Sequence, residues 1–242
     1  AVTRPTMRFV PVKSADRQAV LVLHRTRDLL MRQRTMLLNA VRGHLAEFGI
    51  IAPQGPSKAL ELIAQLREGA HEDLPDVART ALLGIGVQLD AVGAQVNALE
   101  RQLLVWHRQD VVSRRLETIP GVGILTATAL AASVPDPSVF RSGRQFAAFL
   151  GLTPRQNSSG GKDKLGRISK MGDGYLRRLL VIGATSVIRR ADTDPSATGA
   201  WLRSLLASKS KRLTTVAMAN KTARIAWAVM ARGETYRAPV MA

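Results

Sequence analysis

The sequence predicts an all-α protein: a long helical hairpin followed by a compact helical domain. Three observations carry this. No segment sustains the apolar–polar alternation of a strand. A heptad seam runs from Leu82 to Trp106. Ser, Asp, Gly and Pro punctuate the remaining apolar runs at the spacing of helix caps and stops.

The elements follow in order. "RFVPV", Arg8 to Val12, reads as a short extended segment with no partner strand of its own. Ser14 caps the next element and Asp16 lies in its first turn. That helix runs to about Glu47, with Val20, Leu23, Leu30, Leu37, Val41, Leu45 and Phe48 apolar, and Arg27 and Arg34 interrupting the stripe. "GIIAPQGPS" breaks it, and a short helix follows from Lys58 to Arg67. Leu82, Ile85, Leu89, Val92, Val96, Leu99, Leu103 and Trp106 then alternate spacings of three and four. This a/d seam demands a partner helix, either the Ser14 helix folded back or the same helix of a second subunit. Gly84, Gly86 and Gly93 weaken the helix in isolation by roughly 1 kcal/mol each relative to Ala, so packing has to compensate.

From Leu116 the texture changes. "IPGVG", Ile119 to Gly123, is a turn between two helices. Ser142 caps a short helix through Leu150, with Gly151 beyond its end. Three further helices are expected, at about Asp173–Arg190, Ser196–Ala207 and Thr214–Ala231. Residues 151–173, "GLTPRQNSSGGKDKLGRISKMGD", stand out between them as glycine, hydroxyl and positive charge. Either a flexible linker or a phosphate-gripping site would have this composition.

The chain of 242 residues carries a net charge of +17. Such an excess favours a polyanion as partner, because each neutralised phosphate releases a condensed counterion. Nucleic acid is expected rather than a membrane surface, since no long apolar span is evident. With no Cys, disulfides and thiolate zinc sites are excluded, which fits a reducing cytoplasm.

Several residues carry candidate chemistry. Gly121 and Gly123 of "IPGVG" are at helix-hairpin-helix spacing, where backbone N–H groups meet phosphate without reading bases. A tight structural turn explains the same residues. Between Arg155 and Arg190 lie Arg155, Lys162, Lys164, Arg167, Lys170, Arg177, Arg178, Arg189 and Arg190, opposed only by Asp163 and Asp173. A second basic run holds Arg203, Lys209, Lys211, Arg212, Lys221 and Arg224. Solvated faces ordinarily mix both signs. The histidines, His24, His44, His71 and His107, all precede the turn, so a Ser-His-Asp triad within the C-terminal half is excluded. The His residues have ordinary surface or seam roles, and no metal ligands are assigned. What remains is a serine hydroxyl among arginines, an arrangement suited to phosphoryl transfer.

"IPGVGILTATAL", "RQFAAFLGLTPRQNSSGGK" and "GRISKMGDGYLRRLL" together resemble the C-terminal transposase domain of the insertion-sequence-110 family, across roughly Leu116 to Ala231. The upstream helices resemble that family's coiled-coil region. The resemblance implies a bacterial DNA recombinase acting at the nucleoid, in some members guided by a bridge RNA. It implies a nucleophilic serine before a glycine, which maps onto Ser159 ahead of Gly160, with Ser158 its neighbour and Ser169 a weaker third. It also implies a preceding RuvC-like domain holding a divalent metal such as magnesium, of which residues 1–13 would be the last piece. Residues 14–118 would then be the coiled-coil region, a site of homo-oligomer formation, and 119–242 the serine-bearing domain. The rival expectation is a non-catalytic helix-hairpin-helix binding module with a coiled-coil dimeriser.

Overall fold

A computed structural model describes residues 12–162 and 164–238. The expected extended segment Arg8–Val12 lies outside them apart from Val12, as does Asp163. The described residues are mainly helical, with one small β-hairpin among them: α1 (Ala15–Ala46), α2 (Pro56–Arg67), α3 (Asp76–Gln109), α4 (Val111–Glu117), α5 (Ile124–Ser133), α6 (Gly143–Phe149), β1 (Pro154–Gln156), β2 (Leu165–Ile168), α7 (Gly174–Ile188), α8 (Ala197–Ser208) and α9 (Lys211–Arg232). A single 3₁₀ turn, Pro137–Val139, precedes α6.

The chain divides into two compact units, Val22–Gln102 and a second comprising Leu103 onward with the first residues up to Leu21. In the first unit α1 and α3 run antiparallel. Leu38, Val41 and Leu45 share a core with Leu82 and Leu89, while Arg27 lies 2.6 Å from Glu100. The seam therefore finds its partner within the chain. Its buried row on α3 includes Leu82, Leu89 and Val96; Ile85, Val92 and Leu99 are only half-buried.

On α1 the buried row differs from the expected apolar stripe. Val20, Leu30, Val41 and Leu45 of that stripe are buried, but His24 and Leu38 join them, Arg27 and Arg34 are half-buried among them, Leu23 and Leu37 are only half-buried, and Phe48 is exposed. Arg27 belongs to the seam because Glu100 accepts its guanidinium across the hairpin. The helix α2 completes this core with Ala59, Leu62, Ile63 and Leu66. A Cβ on Gly86 would stand 2.8 Å from the Ile63 side chain, so the glycine that weakens α3 as an isolated helix gives α2 its seat.

The second unit buries a single core from α4 to α9, with Leu116, Leu130, Phe146, Leu150, Leu176, Leu180 and Leu202 among its members. The last helix, α9, packs on α4, α6, α7 and α8. Its central positions are small, with Ala219, Ala223 and Ala226 all fully buried, which lets neighbours approach closely. Helix starts are set by side chains: Asp110, Ser142, Asp173, Ser196 and Ser210 each accept a backbone N–H of the first turn.

The region expected to be either linker or site is neither a helix nor an open loop. It is an antiparallel hairpin pairing Pro154 with Ile168 and Gln156 with Leu165. Its strands are three and four residues long, too short to announce themselves by alternation. By length and composition α3 is apolar enough to cross a membrane, contrary to the expectation that no such span exists. Its Leu82 and Leu89 are committed to the core with α1 and α2.

Candidate nucleic-acid interface

The hairpin is pinched shut at its base. Gly151 and Gly172 both take positive φ, and a Cβ on Gly151 would collide with the Met171 carbonyl, one on Gly172 with the Phe149 carbonyl. Only glycine allows backbones this close. Lys170 N donates to Gly151 O at 3.1 Å and Ser169 N to Thr153 O at 2.9 Å. Arg177 donates to the Leu150 carbonyl and Asn220 to that of Leu152, fastening the base to α7 and α9.

At the tip, Lys162 N donates to Ser159 O at 3.1 Å across Gly160 and Gly161. Their φ values, 57° and 76°, make this a type I′ turn, which matches the twist of paired strands. The two adjacent serines separate in role. Ser158 is half-buried, and its Oγ accepts from Lys164 N at 2.9 Å and from Gln156 Nε2 at 2.7 Å. Ser159 is exposed, and among the described residues no hydrogen bond engages its hydroxyl. Ser169 is half-buried and accepts from Met171 N at the hairpin base.

The basic residues divide in the same way. Lys162, Lys164 and Arg167 are exposed on the hairpin, and so is Lys170. Arg155 is exposed too but donates to the Ser169 carbonyl at 3.1 Å. Arg177 straps the 150–171 segment, leaving Arg178, stacked 5.3 Å from the Tyr175 ring, on the exposed side of α7. Arg203 holds the carbonyls of Ala191 and Asp194 and so serves the fold. Lys211 and Arg212 are exposed at the start of α9.

Beside the hairpin lies an open groove of about 1630 Å³, lined by the start of α6, strand β2, Trp201 of α8 and one long face of α9. Arg167, Lys170 and Arg212 line it, joined by Arg144, Lys221 and Arg224. No carboxylate does so among the described residues. Lys221 Nζ sits 4.3 Å from the Trp201 ring centroid. Partial burial, then the neighbouring Arg224, hold its pKa below the usual lysine value. Sequence reasoning placed Lys221 and Arg224 in a basic run but missed Arg144, Trp201 and Trp227 as groove residues. Two of the chain's three tryptophans standing within or beside that basic run was the available signal.

The glycines of "IPGVG" face different ways. A Cβ on Gly121 would meet Gly183 O and Val187 of α7, each at 2.8 Å, so this glycine lets two backbones pack. Gly123 is exposed, caps α5 with no side-chain bond and has open space beside it. The magnesium implied by the resemblance has no fitting ligand set here, since no three His, Asp or Glu group together among the described residues.

His107 is a latch rather than an isolated seam residue. Its Nδ1 pairs with Ser113 Oγ at 2.7 Å and its Nε2 with Glu117 at 2.9 Å, joining the end of α3 to α4. Ser113 is fully buried, out of reach of a substrate, so this serine, histidine and glutamate are structural.

The class is that of a transposase domain: residues 113–199, from α4 through the hairpin into α8, match the profile of the transposase IS116/IS110/IS902 family. The chain is 45% identical to a putative transposase, y4pF/y4sB, of Sinorhizobium fredii, over 98% of its own length and 61% of that relative's. It is 44% identical to a probable family 20 transposase of Pseudomonas aeruginosa, covering 98% of this chain and 70% of the relative. It is 36% identical to the transposase for insertion sequence element IS1111A of Coxiella burnetii, covering 98% and 65%. The chain belongs to the IS116/IS110/IS902 transposase family and spans about two thirds of the length of these relatives.

Proposed function

We propose that this chain is the DNA-handling part of a transposase in which Ser159 attacks a DNA phosphodiester. The observation that carries the reading is the exposed Ser159 hydroxyl at the hairpin tip, beside the exposed Lys162 and Lys164, while Ser158 bonds inward to Gln156 and the Lys164 N–H. In the attack, a bond forms between Ser159 Oγ and phosphorus while the bond to one deoxyribose oxygen breaks. The serine proton passes through water to the departing oxygen. The product is a serine-linked phosphodiester that keeps the energy needed for rejoining. Lys162 and Lys164, beside Ser159 at the tip, stabilise charge on the phosphoryl oxygens, while Arg167 and Lys170, nearer the hairpin base, meet flanking phosphates. Arg178, Lys211 and Arg212 follow the DNA, or an RNA guide, along its backbone. Arg155 and Arg177 act mainly by fixing the hairpin. A divalent metal finds no ligand cluster among the described residues; bound by other residues of a full-length family member, it would supply charge stabilisation that favours the serine alkoxide.

Self-association is proposed through the long-helix unit. With the α3 seam filled from within, the row left for a second copy is Val22, Leu29 and Met36, seven residues apart and exposed on α1.

A non-catalytic helix-hairpin-helix module is the second reading, favoured by the exposed, uncapped start of α5 at Gly123. Covalent capture on a nicked suicide DNA substrate separates the two. A full-length family member carrying this segment should form a serine–DNA adduct that Ser159→Ala abolishes while DNA binding persists. Adduct formation by the Ser159→Ala variant would reject the assignment, and loss only with Ser158→Ala would move it one residue. A wild-type protein that binds DNA but never forms an adduct supports the binding module.

A further inference from the structure

We infer that the groove between the β1–β2 hairpin and α9 seats an unpaired polynucleotide strand, with its bases against Trp201 and Trp227 and its phosphates on the surrounding cations. The inference deepens the nucleic-acid reading above and rests on it.

The groove combines two chemistries that a polynucleotide strand also combines. Arg144, Arg167, Lys170, Arg212, Lys221 and Arg224 make its rim positive, and among the described lining residues no carboxylate neutralises them. Lys221 shows the consequence: among the described residues it has no ion-pair partner, and its ammonium rests on the Trp201 indole. A phosphate entering there supplies the missing anion. The floor is apolar, with Leu213, Val216 and Ile225 of α9 among its residues. Trp227 is fixed in plane because its indole N–H donates to Pro137 O at 3.1 Å. Both indoles are half-buried, anchored against the core yet lining the groove.

Duplex DNA does not complement such a surface. Its bases already stack on one another, so it presents phosphates and groove edges but no ring faces. An unpaired strand presents phosphates and free base faces along the same edge. The open volume of about 1630 Å³ admits more than one nucleotide. Phosphate contacts alone would make the site salt-sensitive and indifferent to pairing. The indoles and apolar floor are what favour the unpaired strand. The matched family region ends at residue 199, so the floor and both tryptophans lie outside it.

The test is a fluorescence titration of the 242-residue chain. The probes are a short mixed-sequence single-stranded DNA, the same sequence as RNA, the same sequence as duplex, and an abasic strand of equal charge. Unpaired strands should quench indole emission and bind more tightly than the duplex; the abasic strand should bind without quenching. The tighter of the DNA and RNA arms identifies the source of the strand. Trp201→Ala should weaken strand binding by about 5-fold to 100-fold, the range expected for one lost base–aromatic stack, leave duplex binding unchanged, and be rescued by Trp201→Phe. Should Trp201→Ala misfold by circular dichroism, photocrosslinking of the wild-type chain to a 5-iodouracil strand gives the same answer. Crosslinks at Trp201 or Trp227 support the seat, and crosslinks confined to other elements overturn it. Preference for duplex, or equal quenching by the abasic strand, also overturns it while leaving the nucleic-acid reading standing. Binding of none of the four probes overturns both.

Discussion

Ser158 and Ser159 are neighbours with opposite duties. Ser158 accepts two hydrogen bonds inside the hairpin, and Ser159 offers its hydroxyl outward. Ser158→Ala should therefore lower thermal stability, with a cost of about 1 kcal/mol from lost hydrogen bonding, whereas Ser159→Ala should leave the melting temperature unchanged. Differential scanning calorimetry of both variants checks this, and equal shifts would contradict the division of roles. His24 makes a second residue-scale prediction. Burial, then the nearby Arg27, push its pKa from 6.5 down to about 4. The folded chain thus keeps His24 neutral between those values while the unfolded chain binds the proton. Stability is complete above about pH 6.5 and is lost as pH falls toward 4, by on the order of 3 kcal/mol at most. Urea midpoints at pH 7 and pH 4.5 should show the loss, and His24→Leu should shrink it. Neither duty was legible in the sequence, because both depend on which atoms stand opposite.

At the scale of elements, the two long helices were legible and their partnership was not. Heptad spacing on α3 is a property of one strip of sequence, and two partners satisfy it equally well. The structure satisfies it with α1, reading through Arg27 because Glu100 neutralises it. Leu89→Asp with Leu99→Asp should therefore unfold the hairpin, since Leu89 lies in the core of that unit and an unpaired charge there is costly. Leu29→Glu with Met36→Glu should leave helicity intact and convert any self-associated species to monomer, because both side chains are exposed. Sedimentation velocity and circular dichroism together read both outcomes. A helical monomer from the Leu89 pair would show that the seam lies between subunits. The hairpin at 151–172 was legible only as an oddity of composition. Its strands are too short for periodicity, and its two closing glycines become meaningful when Phe149 and Met171 lie across from them.

For the whole molecule, charge is the strongest long-range statement. A net +17 concentrated toward the C-terminal unit predicts DNA binding that weakens steeply with salt. If some six phosphates are neutralised, affinity should fall by about 10³-fold between about 50 and 200 mM salt, with little dependence on base sequence. A flat salt response in a filter-binding series would assign the charge another purpose. The same chain, given magnesium or manganese, should bind DNA without recombining it. A serine hydroxyl needs help to lose its proton, and no cluster of three His, Asp or Glu stands among the described residues. Recombination of a donor and target plasmid pair by this chain alone would show that the activating group lies within it.

The sequence by itself determined the helices, their caps, the family and the sign of the surface charge. All of these are carried by local spacing and composition: apolar periodicity, Ser and Asp ahead of helices, glycine beside serine, and an excess of Lys and Arg. Tertiary structure decided which charges remain for a partner and where they converge. Arg177 and Arg203 are drawn inward by backbone carbonyls, and Arg144, Arg167 and Arg212, far apart in sequence, meet at one groove. It also placed Trp201 and Trp227 beside them. The physical reason is that a side chain's periodicity is fixed by its own helix, whereas its partners are fixed by chain segments whose approach depends on the packing of the whole core.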